Sequence, residues 1–120
     1  MLNQNLKGGV YLGVFSDYKN DRYHLIVSPA STEHESDFAN ANEELSLDIN
    51  GTIYNDYRLP TKEEFIFMTQ EATAEFKFDR YYWTSTSYLN SMVFVASLTS
   101  IGYAKKSDSY FTRKIRTVPL

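Results

Sequence analysis

Tyr57-Arg58-Leu59-Pro60-Thr61-Lys62-Glu63-Glu64-Phe65 carries more structural instruction than any other stretch of this chain. Thr61 and Glu64 have the spacing of a capping box. The threonine hydroxyl accepts from the backbone N–H of Glu64, and the glutamate carboxylate reaches back to the N–H of Thr61. Pro60 keeps the residue before it extended, so the helix begins here and not earlier. Phe65, Met68 and Ala72 then fall at i, i+3 and i+7 and predict one inward stripe. Arg58 lies in the extended approach to that helix. Its guanidinium, held against Glu64 or against backbone carbonyls, would pin the helix to a sheet.

Moving outward, strand signals lie on both sides. Val10–Phe15 and Arg22–Val27 flank a polar loop and read as a hairpin, with Gly8-Gly9 allowing a tight entry. Phe38, Ala41 and Leu45 stand at helical spacing in an acidic stretch, which predicts a helix over about 36–46. Asn50-Gly51 between short alternating runs predicts a two-residue hairpin turn. Beyond Phe76 the aromatic run Tyr81-Tyr82-Trp83 opens a second half that alternates like antiparallel sheet: Met92–Leu98, Ile101–Ala104 and Tyr110–Val118. Ile115 and Val118 cannot share a face of the closing strand without a bulge. The expected fold is α+β, one domain over residues 1–120, with two helices packed on short antiparallel β-sheets.

The 120 residues suffice for one core. Ten Tyr, 8 Phe and 1 Trp are too many for a solvated, disordered chain. The absence of cysteine removes disulfides, thiol catalysis and Cys-type zinc sites. No run of 18 apolar residues suggests a membrane span, and the first residues lack the order of a signal peptide, so a cytoplasmic or phage-particle location is expected. The formal charge is −3, but it is unevenly spread: residues 1–104 carry −7 and residues 105–120 carry +4. The acidic balance argues against nucleic acid as a partner. The basic C-terminal segment is expected to pack near an acidic helix. The alternative is a stripe for anionic ligands built from Lys105, Lys106, Arg113, Lys114 and Arg116.

Tyr57–Phe65 resembles the W-R-L-P-T-x-x-E-L signature of the Lcl C-terminal domain family, named after a bacterial collagen-like adhesin. Tyr57 stands where that family usually has Trp. Tyr82-Trp83-Thr84-Ser85-Thr86 resembles its Y-W-S-S-T signature, and Ile115-Arg116-Thr117-Val118 resembles its final V-R-x-V strand. The resemblance runs from about Gly8 to Val118. It implies a C-type-lectin-like fold, related to that of the formylglycine-generating enzymes but without their catalytic cysteines. It also implies a non-catalytic binding module for a protein or glycan. Small free-standing members of this family often look like phage or mobile-element products, so a host receptor or host factor is an expected partner. A phage-encoded inhibitor of a bacterial defence enzyme is the sharper alternative.

Catalytic and metal chemistry finds little support in the residues. The calcium motifs of sugar-binding C-type lectins are absent: Trp83 is followed by Thr84 and Ser85, and no Glu-Pro-Asn occurs. Asp48-Ile49-Asn50-Gly51-Thr52 starts like an EF-hand loop but has its glycine at the fourth place. An enzyme would have to draw on His24, His34, Glu63 and Glu64, and adjacent helical glutamates point about 100° apart. No metal and no cofactor is expected. Surface recognition remains, carried by second-half loops on a rigid sheet. The candidate binding residues are Tyr81, Tyr82, Tyr88, Asn90, Tyr103, Lys105, Lys106, Tyr110 and Arg113, because tyrosine and asparagine give contact area and adaptable hydrogen bonds at low entropic cost. Arg58, Pro60, Thr61, Glu64 and Trp83 are expected to frame the fold, with Trp83 as a core plug.

Overall fold

Three groups of strands and one well-formed helix build the fold. The structure, a computed structural model, describes residues 8–49, 51–89 and 91–120. The predicted first hairpin is present as β1 (Val10–Ser16) and β2 (Arg22–Val27), antiparallel, with an irregularity between Tyr11 and Gly13. On its other side β2 pairs antiparallel with the closing strand β10 (Ile115–Pro119). The central position of β2 explains its composition: Leu25, Ile26 and Val27 are fully buried. Gly9 lies so close to this strand that a Cβ there would sit 2.1 Å from the Val27 carbonyl oxygen.

The expected helix over 36–46 is corrected. The segment divides into β3 (His34–Ser36), a single turn α1 (Phe38–Ala41) capped by Asp37, and β4 (Leu45–Ile49). Asp37, a strong N-cap, starts the helix one residue before Phe38, and the pairing of Leu45 with Tyr57 takes the chain away as strand. β4 forms a two-stranded hairpin with β5 (Thr52–Tyr57). Gly51 holds φ +85° in the turn, as the Asn-Gly signal predicts; Asn50 lies outside the described residues.

The capping box is present as expected and starts α2 (Lys62–Glu71). After a short 3-10 turn at Thr73–Glu75 comes a five-stranded sheet. It is built from β6 (Tyr82–Ser87), β7 (Met92–Ala96), β8 (Ile101–Lys105) and β9 (Tyr110–Thr112), in the order β3-β9-β6-β7-β8. This sheet is not wholly antiparallel, because β6 and β9 run parallel where Tyr82 meets Phe111. The predicted last strand is two strands separated at Arg113-Lys114, so Ile115 and Val118 face opposite sides with no bulge in β10.

Two cores result. Leu12, Leu25, Val27, Phe65, Met68, Tyr82 and Ile115 fill the first, where α2 lies between the three-stranded and five-stranded sheets. Ala41, Leu59, Trp83, Val93, Val95 and Ala104 fill the second, on the far face of the larger sheet. The fold is α+β, mostly strand, with one long and one short helix. No helix among the described residues is long and apolar enough to cross a membrane.

Candidate functional site

The stretch that opened the sequence reading holds the two sheets together. Arg58 exchanges both backbone hydrogen bonds with Ile115, at 2.8 and 2.7 Å, and the Pro60 carbonyl accepts from the Ser85 N–H. The Glu64 carboxylate is 1% exposed and accepts four bonds. Two come from the Arg58 guanidinium at 2.8 Å each, one from the Tyr23 hydroxyl at 2.5 Å and one from the Thr61 N–H at 2.8 Å. Burial, the largest single influence, raises its pKa, but these bonds and the Arg58 charge together outweigh it and leave the carboxyl below its ordinary range. The same pairing raises the Arg58 pKa, and burial followed by the Glu64 bond raises that of Tyr23. All four bonding positions of the carboxylate are occupied, so it has no lone pair directed at a reactant.

Trp83 is the core plug the sequence suggests. It is fully buried, donates from Nε1 to the Ser36 carbonyl at 2.9 Å, and packs edge-on to Phe38 and Tyr110. Thr84, Ser85 and Thr86 shape the loop beside it. The Thr84 hydroxyl donates to the Phe94 carbonyl, and the Thr86 hydroxyl accepts from the Lys62 N–H. The residues considered for catalysis are dispersed among separate partners. His24 meets the Tyr11 hydroxyl, the His34 ring meets the Thr32 carbonyl, and Glu63 pairs with Lys62. Among the described residues no group of three His, Cys, Asp or Glu could hold a metal ion.

Two proposed binding residues are corrected. Tyr82 and Arg113 are each 1% exposed. Tyr82 donates to Glu33 at 2.7 Å and accepts from the Lys77 N–H. Arg113 donates to the Ser28 and Glu75 carbonyls and to the Glu75 carboxylate at 2.8 Å, with Glu33 at 3.5 Å. The anionic-ligand stripe dissolves for the same reason. Lys114 is buried, donates to the Glu43 carbonyl and has its ammonium pKa lowered by desolvation; Arg116 is buried against Asp56 and over the Tyr54 ring. The basic terminus does pack on acidic chain, but on side chains spread from Glu33 to Glu75 instead of one helix.

The remaining candidates separate by strand parity. In the antiparallel register of β7 with β8, Met92 faces Lys105, Phe94 faces Tyr103 and Ala96 faces Ile101 on one side. Val93, Ala104 and Val95 take the other side, over Trp83. Tyr81 and Tyr110 go with that second side: they touch each other, Tyr110 packs on Trp83, and the Tyr81 hydroxyl meets Ser100. The first side is the one on which α2 packs: Ala96 joins Phe65 and Met68 in the first core, and beyond the helix the same face opens and carries Tyr88 and Tyr103. Their rings are stacked with centroids 4.3 Å apart at 14°, and Tyr103 is 55% exposed. Phe94 lies beneath, edge-on to Tyr88, with the Lys62 ammonium 4.3 Å from its centroid.

Two grooves flank this aromatic platform. One, of about 560 Å³, is lined by Leu89, Ser91, Met92, Lys105, Lys106 and Ser107. The other, of about 400 Å³, lies where Ile66, Thr69 and Gln70 of α2 face residues 97–101. Leu89 and Ile101, one at each groove, are exposed apolar residues. The structure therefore brings Tyr88, Tyr103 and Lys105 together, with Lys106 at the rim turned toward Phe38. Asn90 lies outside the described residues. Sequence reasoning missed Lys62, Leu89, Met92, Phe94 and Ile101. The signal available was the apolar run of β7, where apolar residues at both parities mean that neither face is plain solvent surface. The chain matches no family model and no curated protein.

Proposed function

We propose that this chain is a non-catalytic binding module of C-type-lectin-like fold that grips a protein partner through the open part of the β7–β8 face beside α2, where Tyr88 and Tyr103 lie. The observation carrying the proposal is the stacked, exposed Tyr88–Tyr103 pair set between two grooves on a rigid sheet. Tyrosines held in place by a neighbour lose little further freedom on binding, and an apolar platform with a lysine rim has the make-up of a protein-recognition patch. The saturated Glu64 carboxylate and the separate bonding of His24, His34 and Glu63 support a binding role over catalysis.

The lectin-like assignment draws on the motif at Tyr57–Phe65, on Trp83 with its hydroxyl-rich loop, and on first and last strands joined through β2. The family resemblance extends the proposal to a phage or mobile-element product acting on a host factor. Photo-crosslinking tests the face directly. A benzoylphenylalanine at Tyr103 is expected to capture one defined protein from host cells, while the same group at the exposed Tyr18, which lines neither groove, captures none. Equal capture at both positions, or capture at Tyr18 alone, contradicts the assignment.

A further inference from the structure

We infer that β8 is a docking edge for an extended, acidic segment of the partner, which adds as a sixth strand to the five-stranded sheet. This inference rests on the binding role proposed above and names the partner's chemistry. β8 is the terminal strand of its sheet, and no described strand pairs with its outer side.

The direction of its backbone groups follows from its neighbours. The Met92 N–H donates to the Leu89 carbonyl and its carbonyl accepts from Tyr88, so Met92 is bonded toward β6 and not to Lys105 opposite. Lys105 in turn exchanges its bonds with Asp108, taking the side-chain carboxylate at its N–H and giving its carbonyl to the Asp108 N–H. At the other end Ser97 bonds to Ser100, which makes the next pair, Ala96 and Ile101, a non-hydrogen-bonded one as well. Bonded and non-bonded pairs alternate in an antiparallel ladder. Ile101 and Tyr103 therefore direct their N–H and C=O groups away from β7, to the open edge. Four main-chain bonds are on offer over a strand of about 13 Å.

Sheet edges of this kind are normally guarded by proline, bulges or inward charges. The β7–β8 register runs without a shift, and Ile101-Gly102-Tyr103-Ala104 contains neither a charge nor a proline. The side chains of Ile101, Tyr103 and Lys105 line up at period two on the exposed face. That is the arrangement by which strand-addition sites combine backbone affinity with side-chain selectivity. Charge selects the occupant. Lys62, Lys105 and Lys106 border the face in a chain whose overall charge is −3. Glu63 lies 3.7 Å from the Lys62 ammonium and Asp108 accepts from the Lys105 N–H, so the three lysines outnumber these two acids and the face keeps a positive balance. An acidic strand is attracted there, while a second copy of this acidic chain is repelled overall.

The test uses the whole chain labelled with nitrogen-15 and three capped octapeptides. One alternates glutamate with valine, one has alternate backbone amides of that sequence N-methylated, and one carries lysine for glutamate. At a concentration about ten times its dissociation constant, the glutamate peptide is expected to slow amide exchange at Ile101 and Tyr103 about tenfold. Gly102 and Ala104, already bonded to β7, should stay unchanged. Methylation should abolish binding, the lysine peptide should bind more weakly, and Lys105→Glu should reverse that preference. Equal binding of the methylated peptide, or no response of these amides to any peptide, overturns the inference. Protection of the same amides by self-association without peptide overturns it in favour of a second copy. Each of these failures leaves crosslinking at Tyr103 free to succeed, so the edge and the binding face are judged separately.

Discussion

Glu64 shows how one side chain can serve several elements at once. It closes the capping box of α2, accepts both branches of Arg58 and takes the Tyr23 hydroxyl from β2. Glu64→Ala strands a guanidinium and a phenol, and should destabilise the fold by about 2–3 kcal/mol in chemical denaturation. Its depressed pKa sets the sign of the pH dependence. Its contribution is complete above the unfolded value of 4.5 and is lost as pH falls through the lower folded value. Unfolding measured from pH 6 downward should show stability falling below about 4.5, and Glu64→Gln should flatten that fall. An undiminished acid loss in the Gln variant contradicts this account. Arg113 teaches the opposite lesson. It looked like surface in the sequence because a lone arginine in a basic run is usually solvated. Carbonyls from Ser28 and Glu75, distant in sequence, satisfy its fork inside the protein, and no local pattern announces them. Arg113→Ala is expected to cost about 3–5 kcal/mol. Lys105→Ala on the exposed rim should stay within about 0.5 kcal/mol. Thermal unfolding of the pair checks the distinction.

Elements were readable where a single local device governs them. Thr61 and Glu64 fix the start of α2 whatever surrounds it, and Asn50-Gly51 fixes a hairpin turn by its backbone requirement alone. Thr61→Ala should therefore cost about 1 kcal/mol with the helix otherwise retained, measurable by circular dichroism and denaturation. The segment from Phe38 to Leu45 was misread because three apolar residues at helical spacing cannot reveal that strands wait on both sides. Asp37 was a cap signal in plain view, but a four-residue helix falls below any periodicity window. The parity of β7 and β8 was likewise present in the sequence. What periodicity could not supply was which apolar face meets Trp83 and which meets α2.

Taken as a molecule, the chain buries the cations Arg113, Lys114 and Arg116 and presents a stacked aromatic pair. Arg113, Lys114 and Arg116 are spent on internal partners, so the basic terminus is cohesion, and Lys62, Lys105 and Lys106 are the cations beside the binding face. That redistribution was invisible in the net charges of the two halves, because summed charge does not say which cations are buried. The central claim is that the open part of the β7–β8 face beside α2, which carries Tyr88 and Tyr103, is where the partner is held. The most direct test is the affinity of the crosslinked partner for the wild-type chain and for Tyr88→Ala/Tyr103→Ala, measured beside the thermal unfolding of both. The account predicts affinity weakened at least about tenfold with the unfolding transition kept, as expected for exposed anchor residues. Unchanged affinity in a folded double variant would contradict it.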